Sequence, residues 1–171
     1  MGAAFSASLF MVSDPAVSAD FTAKDAQVLG RTLSYVGDGM AGVAVVGIVL
    51  APGSPASQQD AELVRAAIGE GLSAGRVKLE TRLVLVDQLS SVSGINAFFV
   101  TLESAGYPSV MLAAQRLHVP VISTDMACAE RAACVVSFSS EPTVQIVISR
   151  AAADRTGVRF TQAFRMLVTE R

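Results

Sequence analysis

The stretch TDMACAERAACVVSF, residues 124–138, holds the two cysteines of the chain, Cys128 and Cys134, six positions apart. Such a pair can bind a metal, exchange electrons or form a structural disulfide. A metal centre needs more than these thiols and the single histidine, His118, and no acids at ligand spacing complete a set. A thioredoxin-type redox pair is C-x-x-C beside a helix N-terminus, whereas this C-x5-C lies in an Ala-rich loop without a nearby activating base. In an oxidising compartment, two cysteines and no third imply one disulfide. Closing so short a loop stabilises by about 2.4 kcal/mol on the chain-entropy account, before strain. The bond would pin the loop after a strand to the start of a hairpin.

His118, in RLHVP, lies just before a strand, at the amino edge of the sheet. Open α/β sheets gather ligands at the opposite edge, so His118 suits a helix end, where the dipole favours it, better than general-base work. No G-x-S-x-G elbow, P-loop lysine or H-E-x-x-H motif is present. Catalytic, metal-binding and cofactor-binding sets are therefore all expected to be absent. GDGMAG, residues 37–42, matches G-x-G-x-x-G literally, but it follows a helix and precedes a strand. The dinucleotide motif needs the reverse order, so a flexible connector is the expectation. Polar groups do collect where strands should end: Ser54 and Ser57, then Asp87, then Thr101 and Glu103, then Thr124 and Asp125. A cleft there could bind a small polar ligand. Ordinary turn and cap roles are the competing reading of the same residues.

The elements that must position these groups follow from periodicity. Thr22 and Asp25 form a capping box, and Val28, Leu29, Leu33 and Val36 share a helical face ending at Gly37. Strand 43–50, helix 56–72, strand 77–86, strand 95–101, a helix from Pro108 and strand 119–124 come next. This alternation predicts a single three-layer α/β domain with a mainly parallel sheet and right-handed crossovers. Segments 134–139 and 143–149 instead read as a C-terminal β-hairpin, followed by a short helix, RAAADRTG, and a closing segment. The hairpin is a candidate partner surface through Val136, Phe138, Val144 and Ile146, because these side chains cannot all face one core. Packing against the first or last helix is the equal alternative.

The chain has 171 residues, 51% hydrophobic and 16% charged, with a net charge of −2, which suits one globular domain. No basic stripe is available for nucleic acid. The longest apolar run, residues 40–51, is too short to span a bilayer, so no membrane insertion of the mature chain is expected. Residues 1–19 read as a leader: a small apolar stretch, then Val17-Ser18-Ala19 in small-x-small form, with cleavage after Ala19. No Lys or Arg precedes the apolar stretch, which a start codon placed too far downstream would explain. A short amphipathic helix in a cytoplasmic protein is the alternative. The domain proper is then 20–171.

Residues 119–167, VPVISTDMACAERAACVVSFSSEPTVQIVISRAAADRTGVRFTQAFRML, resemble the carboxyl half of the YfiR/HmsC-like periplasmic family. The carriers are Thr124-Asp125, Val136 to Phe138, Val144 to Ser149, Ala151 to Ala153, Gly157 and Phe160. VAVVGIVLAPGSPAS through FFVTLESAG is similar to one lobe of ABC-transporter substrate-binding proteins. The resemblance implies a periplasmic α/β domain, a lobe of periplasmic-binding-protein type that is often dimeric. Family members restrain a membrane-bound diguanylate cyclase by binding its periplasmic part, so their output is cyclic-di-GMP signalling, and a disulfide in this loop is compatible with what they carry. Three departures bear on the partner: FTAKDAQVLGRTLSYV replaces an aromatic-rich opening helix, Ala132-Ala133 a glycine pair, and Ser149 an asparagine.

The expected function is that of an exported, non-enzymatic regulatory protein, working by binding the periplasmic part of an inner-membrane protein, as a homodimer if the family pattern holds. The alternative is a single-lobe periplasmic sensor for a small polar ligand. An enzyme whose site the sequence conceals is a third reading.

Overall fold

The computed structural model describes residues 21–171, so the expected leader at 1–19 and its cleavage point lie outside the described residues. The Thr22–Asp25 capping box is present: the Thr22 N–H donates to the Asp25 carboxylate at 2.8 Å and the Asp25 N–H to the Thr22 hydroxyl at 3.3 Å. It starts α1, Ala23–Leu33, whose Ala26, Leu29 and Leu33 are buried. The helix stops before Gly37 because long-range pairing takes over. Val36 bridges to Phe160, the Gly37 N–H donates to the Arg159 carbonyl at 2.8 Å, and Tyr35 stacks on Phe164 at 4.8 Å.

GDGMAG is the connector into β1, Gly42–Leu50. Ser54 caps α2, Pro55–Ile68, which ends four residues before the expected Leu72. Gly69, with a φ of 61°, caps its end, and Leu72–Ala74 become β2. β2 returns through the turn at Gly75-Arg76, antiparallel to β3, Val77–Leu85. Then come β4 Ala97–Val100, α3 Pro108–Leu117, β5 Val121–Ser123 and α4 Met126–Glu130. α4 occupies part of the loop expected around the first cysteine. The chain closes with β6 Val136–Ser139, β7 Gln145–Ile148, α5 Arg150–Thr156, α6 Gln162–Arg165 and β8 Thr169–Glu170.

Among the described residues, eight strands form one sheet in the order β2-β3-β1-β4-β5-β6-β7-β8. β3, β1, β4, β5 and β6 are mutually parallel; β2 and β7 oppose them, and β8 runs with β7. The α/β class, the parallel centre and the terminal hairpin are as the sequence predicts. On one face Ala44, Val46 and Ile48 of β1 share a core with Leu29 of α1 and Val64 of α2. On the other, Val49, Phe98 and Val121 pack with Val110 and Ala114 of α3 and with both cysteines. Alternation along each strand therefore feeds two cores and makes the domain three layers thick.

The hairpin overturns one expectation. Val136 and Phe138, read as partner surface, are both 0% exposed. Their strand is flanked by β5 and β7, and Val136 pairs with Ile148 and Phe138 with Ile146, so all four side chains share one face and one core. The alternate positions need not be apolar: the Ser137 hydroxyl accepts the Ala129 N–H of α4 at 3.0 Å. Ile146 is half-buried against the same core, and Val144, ahead of β7, stays 51% exposed.

Candidate functional site

β1 is the centre of the wind. Its crossover through α2 leads to β3 on one side, while β4 and β5 lie on the other, with α2 and α3 on opposite faces. The point where the strand order reverses opens a crevice beyond the carboxyl ends of the strands. A groove of about 210 Å³ lies there. Asp60, Leu63 and Val64 of α2 form one wall; their spacing of three and four puts them on one helix face. Phe99 of β4 and Phe21 supply apolar surface, their rings edge to face at 5.2 Å. The ends of β4 and β5 contribute Thr101, Leu102, Ser123, Thr124 and Asp125.

Behind the groove, buried hydroxyls tie these strand ends together. Ser57 Oγ accepts the Ala51 N–H at 3.0 Å and shares a hydrogen bond of 3.1 Å with Thr101 Oγ1. Thr101 Oγ1 also meets Ser104 Oγ at 3.1 Å, and Ser104 Oγ accepts the Thr101 N–H at 2.9 Å. Ser123 Oγ donates to the Val100 carbonyl and accepts the Asp125 N–H, each at 3.1 Å. Asp125 then caps α4, its Oδ1 accepting the Ala127 N–H at 3.0 Å while Oδ2 meets Arg131 Nη2 at 3.1 Å. The Thr124 hydroxyl has no hydrogen-bond partner among the described residues.

Of the residues singled out in the sequence, the fold brings Thr101, Thr124 and Asp125 to the groove, with Ser57 directly behind. Ser54 is the cap of α2, accepting the Ser57 N–H at 3.1 Å. Asp87 lies in the 3-10 turn Val86–Gln88 after β3, and Glu103 in the turn after β4; neither lines the groove. Phe21, Asp60, Leu63 and Ser123 do line it without having been singled out. The helical spacing of Asp60 and Leu63 was the available signal.

Cys128 of α4 and Cys134, just before β6, are disulfide-bonded, Cα to Cα 5.3 Å, and both are buried. The bond anchors the helix that Asp125 caps, so it supports one rim of the groove. His118 ends α3 with a left-handed φ of 54°, its Nδ1 3.2 Å from the Thr156 carbonyl oxygen. Away from the groove, Glu170 is gripped by Arg165 and Arg150. The hydrogen bond from Arg165 is the main cause holding the Glu170 carboxyl below its ordinary range. Among the described residues no His/Cys/Asp/Glu group is placed to hold a metal, and no helix is long and apolar enough to cross a membrane.

No family model and no curated protein matches the chain. Solved structures similar in shape include the following two. One is a conserved domain protein from Vibrio cholerae O1 biovar El Tor, with a TM-score of 0.57, 15% identity and coverage of 86% of this chain and 59% of that one. The other is an ABC domain from Streptococcus pneumoniae in complex with L-Trp, with a TM-score of 0.55, 15% identity and coverage of 86% and 59%. The chain thus spans 59% of the length of each neighbour. The likeness is one of fold: a single α/β domain with a mainly parallel sheet flanked by helices.

Proposed function

We propose that the protein is an exported binding domain, not an enzyme, which senses a small ligand in its carboxyl-edge groove and signals occupancy to a membrane partner. The observation that carries this reading is the groove itself, at the reversal of strand order, with an apolar floor and Thr124 and Asp125 on its rim. Such crevices are where open α/β sheets take ligands. Export is supported by the buried disulfide, which belongs to oxidising compartments. The resemblance to the YfiR/HmsC-like family supplies the class of partner. The test is a thermal-shift screen of small metabolites against the full chain. A hit should vanish in Leu63→Trp, which fills the groove, and persist in Asp87→Ala, which lies outside it. A hit indifferent to Leu63→Trp, or no hit at all, would refute the groove as a sensor.

A second reading, restraint of a diguanylate cyclase through a protein interface alone, is favoured by Met166 and Leu167, adjacent and 80% and 77% exposed. It expects capture of an inner-membrane cyclase that is lost in a Met166→Glu, Leu167→Glu double variant.

A further inference from the structure

We propose that the outer edge of β3 receives an extended segment of a partner protein, apolar at alternate positions with an acid between them. The inference concerns a different face of the domain and is independent of the carboxyl-edge groove.

Among the described residues, β2 pairs with β3 only at Val77, Lys78 and Leu79, so Glu80 to Leu85 border no strand on that side. Strand geometry says which main-chain groups this leaves open, because successive residues turn their N–H and C=O to opposite sides. The Arg76 carbonyl accepts the Gly42 N–H of β1 at 3.0 Å, so the even-numbered residues of β3 face β1. Val77 closes the two-residue turn opposite Ala74 and faces β2. Thr81, Leu83 and Leu85 therefore turn outward. Gln88 Oε1 accepts the Leu85 N–H at 3.3 Å. The N–H and C=O of Thr81 and Leu83, with the Leu85 C=O, stay open at a spacing that another strand matches.

Side chains then specify that strand. Leu83 and Leu85 are exposed on the face where Val77 and Leu79 join the α1 and α2 core. A groove of about 440 Å³ lies between α2 and this edge, with Leu50, Pro55, Ala61 and Leu83 in its lining. Residues opposite Thr81, Leu83 and Leu85 point to that face, so apolar side chains there cover the leucines. The other face carries Arg82, whose guanidinium donates to the Ser93 carbonyl and meets no carboxylate among the described residues. Opposite charges directly across a ladder attract, which selects an acid opposite Arg82. A second copy of this chain fits poorly. Two-fold antiparallel pairing keeps like faces together, so registers centred on the open stretch set Arg82 opposite or diagonal to its own counterpart.

The experiment adds the acetylated, amidated peptide Ser-Val-Thr-Val-Glu-Val-Ser to the full chain and follows amide hydrogen exchange by NMR. In the free protein the Thr81 and Leu83 amides should exchange fast, while those of Arg82 and Val84, paired with β1, exchange slowly. The peptide should slow Thr81 and Leu83 at least tenfold. Methylating the nitrogen of its central valine should abolish binding, whereas methylating that of its threonine, whose N–H points away, should not. Lysine in place of its glutamate should weaken binding at least threefold, and Arg82→Glu should reverse that preference. Leu83→Pro removes an outward N–H and leaves the bonds to β1, so it should abolish binding at a similar melting temperature. If Leu83→Pro misfolds, the methylated peptides and Arg82→Glu still decide. The proposal is overturned if no peptide binds, if the two methylated peptides bind alike, or if the lysine peptide binds the unaltered chain as well. It is overturned too if Thr81 and Leu83 exchange slowly in the free chain; a dimer by light scattering would then assign the edge to a second copy.

Discussion

Opening the Cys128–Cys134 bond should lower the melting temperature by about 5–10 °C. The bond closes a loop with a sequence separation of 6, and the chain-entropy account assigns such a loop about 2.4 kcal/mol. For a domain of this size each kcal/mol corresponds to roughly 2–4 °C. The local structure offers little to replace the cross-link: α4 has only five residues, far too few to persist alone, and depends on the Asp125 cap and the Ala129–Ser137 hydrogen bond. Both sulfurs are buried among Val110, Ala114 and Val121, so a reductant will reach them only when the segment opens. The assay is therefore to unfold and refold the protein in reductant, block the thiols that mass spectrometry finds, and compare melting curves with oxidised material. A Cys128→Ala, Cys134→Ala double variant should fall somewhat further, because it also loses sulfur packing. A reduced sample melting within about 2 °C of the oxidised one, equivalent to less than 1 kcal/mol, would refute the cross-link as a stabiliser. Free thiols in protein prepared under oxidising conditions would refute the bond itself.

Ser57→Ala should cost about 1–3 kcal/mol in urea unfolding at unchanged m, because it leaves the buried Ala51 N–H without its acceptor; a loss under about 0.5 kcal/mol contradicts the hydroxyl network. Ala132 holds a φ of 54°, so Ala132→Gly should relieve about 1–2 kcal/mol of left-handed strain, less about 0.4–1 kcal/mol of extra unfolded-state freedom. The melting temperature should not fall, and a clear drop would contradict the strain. The depressed Glu170 carboxyl contributes stability that is fully present above its unfolded value of about 4.3 and is lost as pH falls through its lower folded value. Glu170→Gln should flatten the melting-temperature profile below about pH 4.5, and parallel profiles would count against the Arg165–Glu170–Arg150 cluster.

Short-range pattern carried most of the elements. The Thr22–Asp25 box and Pro108 in the first turn of α3 are local devices, and each is where the sequence places it; of the two serines able to cap α2, Ser54 and Ser57, it is Ser54 that does. Misplaced ends have identifiable competitors. Ile68 and Leu72 are four apart and mimic one helical face, but Gly69 leaves the helical region and Leu72 pairs with Leu79 instead. Half of the expected cleft came together for the same kind of reason. Thr101, Thr124 and Asp125 follow neighbouring strands, β4 and β5, whereas Asp87 follows β3, which lies across β1 from them. Strand order is a long-range property that residue spacing does not encode. Phe138 shows the converse: its alternation is readable, yet only the pairing of β6 between β5 and β7 reveals that its face turns into the core shared with α1 and α2.

The two margins of the sheet are unusually short, three residues in β2 and two in β8, although the central β1 and β3 each run to nine. Among the described residues β2 covers only Val77, Lys78 and Leu79, so Glu80 to Leu85 of β3 keep an open main-chain edge at that rim, with Glu80 and Arg82 as charges along it. That open stretch is where an extended peptide can lengthen the sheet, and the charges on it are what guards concentrated material against edge-to-edge pairing.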